Sequence, residues 1–207
     1  MTQAATSALE RQYYALTGPV VRWLVRHGVR PNAITTIGTL IVVASAVAYG
    51  FGAIRWGGFL LLLSGLFDTL DGAVARESGT ATKFGAFYDS TLDRIGDGAT
   101  FIGIAAYLLH APDVAYRNLA IILAMVATLA SLVVSYARAR AEGVGIAAKV
   151  GIAQRAERII LLGGASVIVG AGPRAIVLEV IVALLAVASI ITIVQRFHFV
   201  YRATNGA

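Results

Sequence analysis

Asp68 and Asp71 stand three residues apart, and Asp89 and Asp93 four apart, in a chain of 207 residues with only 11 acidic side chains. On helices, spacings of three and four place each pair on one face. Between the pairs, the stretch Ser78 to Lys83 with its Gly79 suits a short turn between antiparallel helices. Such a turn brings the four carboxylates into one small volume. Clustered anions withdrawn from water cost on the order of several kcal/mol unless cations neutralise them. Hard divalent ions with oxygen ligands are the natural partners, and two such ions side by side form a device for transfer at phosphorus. Gly72, Ala73, Ala75 and Gly85 are small, so backbones approach closely there and a substrate has room.

The elements that must carry these residues are apolar. The chain is 58% hydrophobic and 14% charged, with a mean hydropathy of +0.78, far from the balance of a soluble domain. Residues 32–54, 118–137 and 180–195 contain no charged side chain, and crossing a bilayer takes roughly 20 apolar residues. The expected fold is an all-α integral membrane protein with six transmembrane helices, over about 32–54, 56–76, 84–110, 114–142, 152–172 and 174–201. One domain is expected over 1–207, with the six-helix bundle over about 32–201 and an N-terminal interfacial amphipathic helix over about 5–28. In such a protein, helix-end charge beside small-residue packing is the plainer account of the aspartates, but it leaves expensive ionisable groups at a membrane edge without a purpose.

Cysteine is absent, which excludes disulfides and thiolate metal sites. The net charge of +6 would point a soluble protein towards nucleic acid. Here basic residues mark cytoplasmic loops instead, and no nucleic-acid partner is expected. With six spans, fourteen of the 17 lysines and arginines fall on the side of the two termini, and only Arg55, Arg117 and Arg174 fall opposite. That ratio puts both termini and all four aspartates towards the cytoplasm of a multi-pass cell-membrane protein. No signal-peptide pattern opens the chain. Ser7 to Glu10 has the form of a capping box. Leu9, Tyr13, Val20 and Leu24 oppose Arg11, Arg22 and Arg26, as in a helix lying in the interface or an ordinary packing helix. Pro19 is expected to break or bend it.

Asp68-x-x-Asp71-Gly72-x-x-Ala75-Arg76, eight residues, then Gly85-x-x-x-Asp89-x-x-x-Asp93 resembles the signature of the CDP-alcohol phosphatidyltransferase family at every fixed position. The resemblance implies that Asp68, Asp71, Asp89 and Asp93 hold two divalent ions, Mg²⁺ with Mn²⁺ as a possible substitute. It also implies that Asp93 acts as general base on an acceptor hydroxyl. Pro31, Asn32, Ala33, Ile34 and Thr35, with Gly72, Arg76, Thr82 and Gly85, resemble the family's contacts to the CDP-lipid. Arg76 also has a case of its own, since guanidinium matches phosphate oxygens bidentately; simple neutralisation of Asp71 is the alternative. Asp97, one turn further on, is outside the signature and is read as a supporting or structural residue. A homodimer is implied as well.

Cations then select an acceptor. Arg138, Arg155 and Arg196 come from three separate segments, SYARARAEG, QRAERI and VQRFH, each at an expected cytoplasmic helix end. They resemble the basic residues that bind the phosphate of inositol phosphate in the family members using that acceptor. One departure is Arg138, where those members favour lysine; the charge is kept and the geometry differs. The expected reaction is transfer of a phosphatidyl group from CDP-diacylglycerol to inositol phosphate, with release of CMP. Glycerol 3-phosphate is the alternative acceptor. A cation transporter is the alternative of another class, and it would favour carboxylates near the bilayer midplane.

Overall fold

A computed structural model describes residues 17–205. Helical residues 17–26 (α1) lead into α2 (Pro31–Gly50), α3 (Ile54–Glu77), α4 (Lys83–His110), α5 (Arg117–Glu142), α6 (Arg155–Ile168) and α7 (Ile176–Asn205). A single 3₁₀ turn over Pro173–Ala175 precedes α7, and no strand occurs among the described residues.

Local chemistry explains the boundaries that matter for the site. Proline excludes the helical region for the residue before it, and Arg30 is accordingly extended (φ −77°, ψ 135°) where α2 starts at Pro31. Gly79 takes φ +65° in the α3–α4 turn, a left-handed conformation open to glycine. Thr82 then caps α4, its hydroxyl accepting from the Gly85 N–H at 2.9 Å. The expected hairpin between the aspartate pairs therefore forms.

Packing follows the order α2 against α3 and α4, α3 against α6, α4 against α5, and α5 against α7. Tyr49, Ile104, Leu108, Leu178 and Val182 are fully buried in one core. Backbones meet closely at two crossings. A Cβ on Gly103 of α4 would lie 2.1 Å from the Ala46 carbonyl oxygen of α2. One on Gly58 of α3 would lie 2.7 Å from the Gly163 oxygen of α6. Without a driving force from water between helices, such small-residue contacts hold membrane bundles together.

Among the described residues, four helical segments are long and apolar enough to cross a membrane: Pro31–Gly50, Ile54–Glu77, Arg117–Glu142 and Pro173–Asn205. α4 has the length, at 28 residues, but its first half carries Asp89, Asp93, Arg94 and Asp97. α6 is shorter than the expected 152–172 at both ends: residues 152–154 belong to the loop before it, and residues 169–172 turn away after it.

The expected capping box at Ser7, with Leu9, Arg11 and Tyr13, lies outside the described residues. Helical residues 17–26 include Pro19, so the helix is not broken there. Val21 is buried with Ile34, Leu70, Ala73 and Val74, and Leu24 and Val25 pack against them. Trp23 stays 57% exposed.

Candidate active site

The last turns of α3 and the first turns of α4 present the four signature carboxylates. Two neighbours from other helices decide where they point. Thr35 on α2 donates its hydroxyl to Asp71 Oδ2 at 2.6 Å, with both side chains buried. Arg155, at the start of α6, reaches Asp93 Oδ1 at 2.9 Å with the same Nη1 that contacts Asp68 Oδ2. The cation between Asp68 and Asp93 in this structure is therefore a guanidinium. Among the described residues no three His, Cys, Asp or Glu side chains close on one point. The expected single cluster is instead drawn out, with Asp71 turned to α2 and Asp68 and Asp93 turned to α6. Asp68 and Asp89 remain within electrostatic reach of each other and of both Asp71 and Asp93. The donor set is carboxylate oxygen throughout and already accommodates a positive charge, which fits hard divalent ions.

Two cavities flank the carboxylates. The larger, of about 600 Å³, is lined by Pro31, Asn32, Thr35, Asp71, Gly72, Arg76, Thr82, Gly85 and Asp89. These come from α2, α3 and α4, and they include most of the residues expected to meet a CDP-lipid. Gly85 leaves little to spare: a Cβ there would sit 3.3 Å from the Asn32 side-chain oxygen. Ala33 is exposed and outside this lining. Ile34 does not face it either. At 3% exposure it belongs to the apolar cluster with Val21 and Val74, because consecutive helical positions point about 100° apart. Val29, Arg30, Ser78 and Thr80 also belong to the wall, and the sequence offered no spacing signal for them.

The smaller cavity, of about 300 Å³, is lined by Arg138, Arg155 and Arg196 together with Asp93, Arg94, Gln154 and Arg158. The three arginines expected to share one anion thus line one space, and the expected general base lines it with them. Their states differ. Arg138 is paired to Glu142 at 3.0 Å and is half exposed. Arg196 is 2% exposed and is fastened by its Nε to the Val150 carbonyl at 2.9 Å and by Nη1 to that of Val134. Arg158 donates to Asp97 Oδ2 at 2.5 Å and to the Ala153 carbonyl at 2.9 Å, wholly buried. Arg158 and Asp97 were legible only as helical neighbours of Arg155 and Asp93, at i+3 and i+4.

Paired carboxylates on a helical hairpin, with a cavity of about 600 Å³ on one side and an arginine-lined cavity on the other, fit the class that the signature suggested. Residues 28–200 match the CDP-alcohol phosphatidyltransferase family, and the chain belongs to it. Within the family it is similar to the phosphatidylinositol phosphate synthase of Mycolicibacterium smegmatis, 37% identical over 218 aligned residues that cover all of this chain and 90% of the relative. Two crystal structures of the Mycobacterium tuberculosis phosphatidylinositol phosphate synthase are similar in fold, each with a TM-score of 0.79. One, with CDP-DAG bound, is 39% identical and covers 90% of this chain and 94% of its own. The other, with manganese and citrate, is 40% identical and covers 89% and 88%.

Proposed function

We propose that this chain transfers the phosphatidyl group of CDP-diacylglycerol to a hydroxyl of inositol phosphate, forming phosphatidylinositol phosphate and releasing CMP. The observation that carries the acceptor is the cavity lined by Arg138, Arg155, Arg196 and Asp93. A phosphate monoester carries about −1.5 to −2 charges at neutral pH. Arginines from three elements suit it, whereas a neutral polyol needs none of them. The relatives' name and the CDP-DAG-bound neighbour support the same reading.

The chemistry follows from the two cavities. The donor's cytidine and pyrophosphate take the larger one, along Pro31, Asn32, Thr35, Gly72, Arg76, Thr82 and Gly85, with Arg76 and Arg30 offering charge to phosphate oxygens. The acceptor's phosphate is held in the smaller one, which orients a free hydroxyl towards the lipid-bearing phosphorus. That oxygen forms a new P–O bond, its proton passes to the Asp93 carboxylate, and the P–O bond to CMP breaks. Holding both partners in one geometry removes much of the entropic barrier. Asp68, Asp71, Asp89 and Asp93 would hold divalent metal, read as two Mg²⁺ ions with Mn²⁺ as substitute, whose charge when bound offsets that on the pyrophosphate. A manganese-bound neighbour supports metal dependence.

The same proposal includes the setting. One domain of six spans crosses the cell membrane, with both termini and the site on the cytoplasmic side and α1 along the interface. A homodimer is the assembly. The 14-to-3 division of basic residues supports the orientation. Single cysteines at Gly79 and Asp113 test it, since labelling of both from one face would refute it. For the reaction, purified protein is given CDP-diacylglycerol with inositol phosphate, free inositol or glycerol 3-phosphate, and CMP release is measured. Inositol phosphate is expected to work and free inositol to fail. Equal use of free inositol would end the phosphate-pocket reading. A clear preference for glycerol 3-phosphate would keep the pocket and replace the acceptor.

A further inference from the structure

Asp97 is a carboxylate in this region that the family signature does not use. It sits one turn beyond Asp93 on α4 and is 9% exposed. Its Oδ2 is locked by Arg158, which is in turn held by the Ala153 carbonyl. Its Oδ1 lies 3.7 Å from the Nε of Arg155. That Nε is buried and makes no hydrogen bond. Arg155 thus faces three carboxylates: Asp68 and Asp93 through Nη1, both in contact, and Asp97 through Nε, just beyond contact.

Two of those three partners belong to the metal-binding set. When they serve it, Nη1 loses its acceptors, and a guanidinium only 22% exposed and left without a partner is unfavourable. Asp97 stays in place because its other oxygen is anchored. A short approach closes the 3.7 Å gap into a charge-assisted hydrogen bond at Nε. Both terminal nitrogens are then left for the cavity that Arg138 and Arg196 line. We infer that Asp97 is a positioning residue, which holds Arg155 over the acceptor cavity once Asp68 and Asp93 are engaged by metal. This rests on the acceptor-phosphate reading of that cavity.

The test is equilibrium binding of inositol phosphate to the purified full chain in detergent, without CDP-diacylglycerol and so without turnover. With Mn²⁺ present, Asp97→Asn is expected to weaken binding about tenfold, the order of a coupling between contacting charged groups. In chelator the same substitution is expected to change little, because Arg155 then stays on Asp68 and Asp93. An equal loss in both conditions would make Asp97 merely structural and overturn the inference. Asp97→Asn strands the buried Arg158, so it is also compared within an Arg158→Gln background, where neither buried charge remains. Part of the loss is expected to persist there, because a glutamine amide can still donate to Asp97 Oδ2; its complete disappearance would mean that Asp97 acts only through Arg158. Within an Arg155→Ala background the loss is expected to vanish, and its persistence would overturn the inference. Weakened binding by Arg155→Ala with none by Asp97→Asn sinks the role of Asp97 alone. Unchanged binding in Arg155→Ala sinks the acceptor reading as well.

Discussion

Thr35→Val tests the geometry of the carboxylates most directly. Valine keeps the shape of threonine and removes only the hydroxyl. That hydroxyl lies 2.6 Å from Asp71 Oδ2 and 3.2 Å from the Pro31 carbonyl, and its one proton goes to the shorter, charged contact. Thr35 is 4% exposed and Asp71 5%, so bulk water does not replace the lost donor. A hydrogen bond to a charged group contributes about 1.5–3 kcal/mol. At about 1.4 kcal/mol per decade, this is roughly a ten- to hundredfold loss in an equilibrium that needs Asp71 held in place. A partner that orients a metal ligand has effects of about the same size. The assay is CMP release titrated with Mn²⁺ at saturating substrates, paired with direct Mn²⁺ binding by electron paramagnetic resonance. The half-saturating Mn²⁺ concentration is expected to rise by that factor in both, with kcat at saturating Mn²⁺ close to the parent's. An unchanged metal requirement together with a raised KM for CDP-diacylglycerol would refute this reasoning. Thr35 would then act on the donor, and its bond to Asp71 would be incidental.

Two further outcomes are expected. Chelator should abolish CMP release and Mn²⁺ should restore it, because four carboxylates with one arginine among them lack the charge to offset a pyrophosphate; full activity in chelator contradicts this. Gly103→Ala should lower the melting temperature in detergent by ~2–10 °C, the equivalent of ~1–3 kcal/mol of overpacking. Its Cβ would meet the Ala46 oxygen at 2.1 Å, and backbone cannot swing aside as a side chain can; an unchanged melting temperature would show that α2 and α4 part freely.

The site was legible where it is local in sequence. Asp68, Asp71, Asp89 and Asp93 sit on two helices joined by one short turn, so their spacing and the turn residues suffice to bring them together. What draws them out again was not legible. Thr35 comes from 36 residues before Asp71, and Arg155 from 87 residues after Asp68. Both contacts depend on how α2 and α6 pack against α3, which no spacing rule reaches. The three arginines were found because charge at helix ends is conspicuous in an apolar chain. Ile34 stands apart from its neighbours in the run Pro31 to Thr35, because a helix turns its successive residues to different sides. The length of α6 was overread from its composition. Residues 152–154 and 169–172 continue the apolar composition, yet the bond from the Ala153 N–H to Thr192 holds the first stretch as loop, and Gly170 and Gly172 at φ +74° and +72° end the helix in the second.

The shortness of α6 has its own consequence. Fourteen residues make about 21 Å of helix, against a hydrocarbon layer of about 30 Å. Arg155 is the first residue of this helix and lines the smaller cavity, and α6 alone does not reach across the thickness that its neighbours span. A membrane enzyme joining a water-soluble substrate to a lipid must either lift the lipid out or let water in. A short helix suits the second course, in which the lipid keeps its chains in the bilayer and the soluble partner travels the remaining distance.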